Sequence, residues 1–177
     1  SSPIGQEELV RNMGGTIMMR VVQANGNNPQ LVASAVNMAE MYMSPFIKSE
    51  RGLSFNQNSY MLGALNQMAF AATKDVRYLI RAEELYQKGL EKSPNRPQFL
   101  YGLFDVYRSM GNQPKAVEVA DKIKSIWGSD SRLDEALKVM QQAIDAAKAS
   151  STGKTKSIPK KTSPTSPATP AVVPIGQ

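Results

Sequence analysis

Between Tyr78 and Trp127 the chain reads YLIRAEELYQKGLEKSPNRPQFLYGLFDVYRSMGNQPKAVEVADKIKSIW, three helical patterns separated by two stop-and-start signals. Ser93-Pro94-Asn95 cannot continue a helix, and Pro97 suits the first turn of the next, where its missing N–H costs nothing. Gly111-Asn112 ahead of Pro114 repeats the signal. A chain punctuated this way folds back on itself at short intervals. The prediction is an all-α fold of about seven helices in antiparallel hairpins, over residues 1–149.

The N-terminal half carries the same grammar. Leu9, Met13, Ile17 and Val21, beside Val10, Met18 and Val22, form two adjacent rows at a spacing of four, which predicts a helix over Gln6–Ala24 with a broad buried face. Gly14-Gly15 inside it costs on the order of 1 kcal/mol per glycine, offset either by close approach of another helix or by a kink. After Asn25-Gly26-Asn27-Asn28, Pro29 opens a second helix with the rows Leu31, Ala35, Met38, Tyr42 and Val32, Val36, Ala39, Met43. Ser44–Asn58 reads as an irregular connection whose Phe46, Ile47, Leu53 and Phe55 pack down. Further helices are predicted over Asn58–Thr73, Val76–Lys92, Pro97–Met110, Pro114–Trp127 and Ser131–Ala149, the last started by Ser131 and Glu135. The sixth buries Ala116, Val117, Ala120, Ile123 and Trp127. Methionines concentrate between Met13 and Met68, and core filling accounts for them better than a plastic binding surface.

The row Leu100, Leu103, Tyr107, Gly111, Ala116, Ala120, Ile123 resembles the tetratricopeptide (TPR) repeat pattern, and Ala82, Tyr86, Gly89 and Pro94 resemble the second half of a preceding repeat. Departures are a turn about seven residues longer after Ala69, Phe104 in place of a small residue, and Trp127-Gly128 at the close. The resemblance implies an α-solenoid. It also implies that Gln98, Tyr101, Asp105 and Arg108, with Gln57, Tyr60, Ala64 and Gln67, face a partner-binding groove. The stretch from Lys74 to Gln98 further resembles the soluble repeat region of bacterial O-antigen ligase and polymerase-like proteins, without their membrane domain.

Chemistry is conspicuous by what the residues lack. With no histidine and no cysteine, the commonest general base, nucleophile and metal-ligand sets are missing, so the chain is expected to be non-catalytic, without cofactor or metal. Glu83-Glu84 and Asp134-Glu135 read as solvated helix surface. Gly153-Lys154-Thr155 does not make a phosphate loop, because Lys148 stands where the first glycine is needed. No apolar run approaches the roughly 18 to 20 residues of a spanning helix, so no membrane insertion is expected.

The formal charge of +6 is unevenly placed. Up to Asp145 there are 16 Lys and Arg against 15 Asp and Glu, so the body is nearly neutral and the excess lies in Lys148, Lys154, Lys156, Lys160 and Lys161. That argues against specific nucleic-acid binding. From residue 150 to 177 the composition turns to Pro, Ser, Thr and Lys, which predicts an extended tail of polyproline II character. Thr162, Ser163, Thr165, Ser166 and Thr169 are candidate O-glycosylation sites. The tetrapeptide Pro3-Ile4-Gly5-Gln6 recurs as Pro174-Ile175-Gly176-Gln177, which suggests assembly: one unit of a tandem array, or a tail that docks on a neighbour.

These features together predict a structural protein that self-associates, as an extracellular filament or in the cell envelope, its tail bridging to a neighbouring copy. A peptide-binding TPR adaptor, or an accessory domain excised from a cell-envelope polysaccharide enzyme, are the alternatives. The Ser-Ser-Pro start fits a processed or excised chain.

Overall fold

The computed structural model describes residues 3–49 and 55–153. These residues are all-α, with no strand among them: α1 (Pro3–Val10), a π-helical turn (Arg11–Ile17), α2 (Met18–Ala24), α3 (Pro29–Lys48), α4 (Phe55–Thr73), α5 (Val76–Lys92), α6 (Pro97–Ser109), α7 (Gln113–Trp127) and α8 (Ser131–Gly153). The chain divides into two units, Ser1–Gln142 and Ala143–Gln177. The second is described only to residue 153, as the last turns of α8, exposed over residues 145–150 with Ile144 half-buried. Leu53, the tail residues Thr162, Ser163, Thr165, Ser166 and Thr169, and the second tetrapeptide lie outside the described residues.

Within the first unit each helix packs on the next, α3 on α4, α4 on α5, α5 on α6 and α6 on α7, and α4 also touches α6. The predicted punctuation sits at the joints. Asn28 Oδ1 accepts from the backbone N–H of Leu31 at 3.1 Å to start α3, and Asn112 Oδ1 accepts from that of Lys115 at 3.3 Å to start α7. Gly111 takes φ 68° to end α6, and Lys74 takes φ 60° between α4 and α5, where Asp75 accepts from the Arg77 N–H at 3.0 Å. For α8 the cap falls on Asp130, whose Oδ1 accepts from the Arg132 N–H at 3.0 Å, one residue before the Ser131 expected.

Two apolar clusters meet at α5. Val22, Val32, Val36, Ala39, Met43, Ile47, Phe55, Leu62, Leu65 and Ala69 form one, joined by Leu85. Leu79, Ala82 and Tyr86 belong to the other, with Phe99, Leu100, Leu103, Val106, Tyr107, Ala116, Ala120, Ile123, Leu133 and Met140.

Three sequence expectations are corrected here. First, the rows of the first hairpin are not both covered: Val22, Val32, Val36, Ala39 and Met43 are buried, whereas Leu9, Ile17, Leu31, Met38 and Tyr42 are exposed. A helix at the end of a succession has neighbours on one side only, and the π turn adds a residue per turn that rotates one row away. At Gly15 the anticipated close approach is present, since a Cβ there would lie 2.7 Å from Sδ of Met61 on α4.

Second, the described residues of Ser44–Asn58 are mostly helical. α3 runs through Pro45 to Lys48 and α4 begins at Phe55. A proline inside a helix costs about 3 kcal/mol, but the last turn places Ile47 at 3 % exposure, and Phe55 is also buried, each contributing about 1.5–3 kcal/mol. Third, Val117 and Trp127 of α7 are exposed, Trp127 by 44 %, because the helix buries the side that carries Ala116, Ala120 and Ile123.

Candidate functional site

Gln57 and Tyr60 on α4 and Gln98 on α6 share one hollow of about 400 Å³, completed by Asn56, Arg96 and Phe99. Tyr60 stands at its mouth, 38 % exposed, on a rigid base of rings: its centroid is 6.1 Å from Tyr86 and 6.4 Å from Phe99, and those two are 6.2 Å apart. Tyr86 and Phe99 are fully buried. Asn56 donates to Ser93 Oγ at 2.9 Å, which fixes its amide, while its Oδ1 is buried with no partner. An occupant with an N–H to offer would satisfy that oxygen.

A second hollow of about 290 Å³ also borders α6, lined by Tyr101, Phe104, Asp105 and Arg108 with Arg132, Leu133 and Ala136 of α8. Asp105 accepts from Arg108 at 3.1 Å across one helical turn. Tyr101 donates to Asp130 Oδ2 at 2.8 Å, and Arg132 also bonds that carboxylate. The Arg132 guanidinium first and the Tyr101 hydroxyl second hold the Asp130 pKa down to about 2. The same hydrogen bond raises that of Tyr101.

Of the residues assigned to a groove, the structure thus gathers Gln57, Tyr60 and Gln98 at one hollow and Tyr101, Asp105 and Arg108 at the next. Gln67 is turned inward instead: its Oε1 accepts from Tyr86 Oη at 2.7 Å and its Nε2 donates to the Gly102 carbonyl at 3.3 Å. Ala64 is half-buried. Asn56, Arg96 and Phe99 were not singled out by the sequence, although Arg96 directly precedes the helix-starting Pro97. Of the assembly residues, Pro3, Ile4, Gly5 and Gln6 open α1, with Gly5 and Gln6 exposed; Pro174, Ile175, Gly176 and Gln177 lie outside the described residues.

Glu83 is not the solvated acid expected. Its Oε1 accepts from Tyr107 Oη at 2.9 Å, Gln87 Nε2 at 3.1 Å and Lys115 Nζ at 2.8 Å, and the Lys115 ammonium sits 4.9 Å from the Tyr107 ring centroid. Burial pushes the Glu83 pKa up, but the bonds from Lys115 and Tyr107 outweigh it and the net shift is downward. This is a cross-brace between α5, α6 and α7. Asp134 and Glu135 are exposed, and Asp134 pairs with Lys124.

A further exposed feature lies on α3. Leu31 (39 %), Met38 (46 %), Met41 (63 %) and Tyr42 (47 %) stand out from a helix whose only charged residues are Glu40 and Lys48. Glu40 is itself neutralised by Arg81 of α5. No group of three or more His, Cys, Asp or Glu that could hold a metal occurs among the described residues. No helix among them is long and apolar enough to cross a membrane. No protein-family model matches this chain, and neither does any curated protein or solved structure searched.

Proposed function

We propose that this protein is a non-catalytic, TPR-like α-solenoid that associates with copies of itself, its C-terminal tail bridging to a neighbour. The observation that carries the reading is the uncovered apolar row of α3. Leu31, Met38 and Tyr42 sit on one side of a helix almost free of charge, so the same face on a second copy meets no like-charge repulsion. A two-fold pairing sets Leu31 of each copy near Tyr42 of the other. Each half-exposed side chain contributes about 1 kcal/mol on burial, and six of them about 6 kcal/mol, against an association cost of at least about 4 kcal/mol. A weak, concentration-dependent dimer is the outcome.

Support for the TPR-like arrangement comes from the packing of successive helices and the α4–α6 contact. It comes also from Tyr86, a repeat-pattern residue, whose ring is held between Gly63 of α4 and Gly102 of α6. The repeated Pro-Ile-Gly-Gln supports the bridging tail.

Sedimentation velocity over a concentration series tests the association. The weight-average mass should rise with concentration for the native chain and rise clearly less for Met38→Glu, whose far-UV spectrum should be unchanged. Equal sedimentation of the two proteins would remove the reading. A second reading, capture of an extended peptide from another protein, is favoured by the exposed Tyr60 ring beside the unpartnered Asn56 oxygen.

A further inference from the structure

Prolines 164, 167 and 170 recur every third residue in Ser163-Pro164-Thr165-Ser166-Pro167-Ala168-Thr169-Pro170. Three residues is one turn of a polyproline II helix, so a segment in that conformation presents all three rings along one edge, about 9 Å apart. Helix α6 borders two ring-walled hollows, one shared with α4 and one with α8. Gln98 and Phe99 line the first, and Tyr101, Phe104, Asp105 and Arg108 line the second.

We propose that this face is the receiving surface for the tail: residues 163–170 of a neighbouring copy lie along α6 with consecutive prolines in the two hollows. The proposal rests on the reading that the tail bridges copies, and it names the surface and the segment. Several features of the face suit such a segment. The exposed Tyr60 ring, backed by two buried rings, is a fixed flat support for a pyrrolidine ring, and polyproline segments dock in aromatic-lined grooves of this kind at low entropic cost. Residues 163–170 alternate proline with small Ser, Thr and Ala, which carry backbone N–H groups that proline lacks. One of these would give the buried Asn56 Oδ1 its missing donor. The amides of Gln57 and Gln98 are exposed beside it to pair with peptide carbonyls. The segment itself carries no charge, and in the second hollow Asp105 is paired with Arg108 and Arg132 with Asp130. Docking there therefore breaks neither pair.

The absence of cysteine allows a single spin label at Ala168→Cys. That full-length chain is mixed with unlabelled, ¹⁵N-enriched native chain, and relaxation of the native amide signals is measured. Signals of Gln57, Gln98 and Tyr101 should broaden, and dilution should restore them. Tyr60→Phe in the enriched chain, which keeps the ring, should behave as native, whereas Tyr60→Ala should weaken the effect about fivefold. Inserting one glycine between Ser166 and Pro167 of the labelled chain shifts the third-residue spacing and should weaken it likewise. No selective broadening, broadening confined to the labelled chain itself, or full insensitivity to Tyr60→Ala and the insertion each overturns the proposal. Running the mixture in the Met38→Glu background separates the two ideas. A mass rise that Met38→Glu leaves unchanged, with broadening retained, removes only the α3 pairing; a mass rise that Met38→Glu reduces, with no broadening in either background, removes only the tail surface.

Discussion

Replacing Gly102 by alanine tests the packing that holds α4, α5 and α6 together. A Cβ at Gly102 would lie 2.6 Å from Cε2, 2.8 Å from Cζ and 3.0 Å from Cδ2 of Tyr86. Ordinary contact starts near 3.4 Å, so the ring would have to retreat by about 0.8 Å, the difference between 3.4 and 2.6. It has nowhere to go. Gly63 crowds its other side, where a Cβ would lie 2.7 Å from Cζ, and Gln67 anchors its hydroxyl at 2.7 Å. Overpacking costs about 1–3 kcal/mol, and a ring blocked on both sides sits at the upper end. Alanine returns about 1 kcal/mol of helix propensity. The net is a loss of about 2 kcal/mol, or about 4–8 °C in Tm for a chain of this size. Urea and thermal denaturation followed by circular dichroism read it directly. Gly5→Ala, where nothing lies within 4 Å, is the control and should gain up to about 1 kcal/mol. A Gly102→Ala protein as stable as the native one would show that Tyr86 is not clamped and would refute the reasoning.

Other perturbations separate used groups from idle ones. Glu83→Ala strands the Tyr107 hydroxyl and should cost about 1–3 kcal/mol in urea denaturation, whereas Glu84→Ala, on the exposed side, should stay within about 0.5 kcal/mol. Because the Asp130 pKa is depressed to about 2 from its ordinary 3.8, its contribution is complete above pH 3.8 and is lost as pH falls toward 2. Asp130→Asn should therefore flatten the urea midpoint against pH in that window, and an unchanged slope would contradict the assignment. Ser59 Oγ is buried without a partner, so Ser59→Ala should be neutral or stabilising by up to about 1 kcal/mol, and a clear loss of stability would reveal a bond.

Much of the fold was legible because its joints are local. Asn28-Pro29, Lys74-Asp75, Ser93 to Pro97 and Gly111 to Pro114 act through φ angles and caps that need no distant partner. What the sequence hid was decided by neighbours. Two apolar rows of equal quality run along α3, and only the position of α4 determines that Val32, Val36, Ala39 and Met43 are covered while Leu31, Met38 and Tyr42 are not. Pro45 reads as a stop, yet the helix survives it because Ile47 beyond it is buried. Glu83 looked like surface because its partners Tyr107 and Lys115 are 24 and 32 residues away. The candidate face was half legible. The repeat pattern pointed to Tyr60, Gln98 and Tyr101, but not to Gln67's inward turn or to Asn56, whose polar surroundings Asn56-Gln57-Asn58-Ser59 read as loop.

The most direct test of the central claim uses the chain's lack of cysteine once more. Met38 lies near the middle of the exposed α3 row, so a two-fold pairing brings Met38 of each copy within the roughly 4–7 Å Cα separation a disulfide needs. Under mild oxidation Met38→Cys should form a covalent dimer rapidly and nearly completely, far faster than Glu118→Cys on the exposed side of α7. Equal, slow crosslinking of the two proteins would contradict pairing through α3.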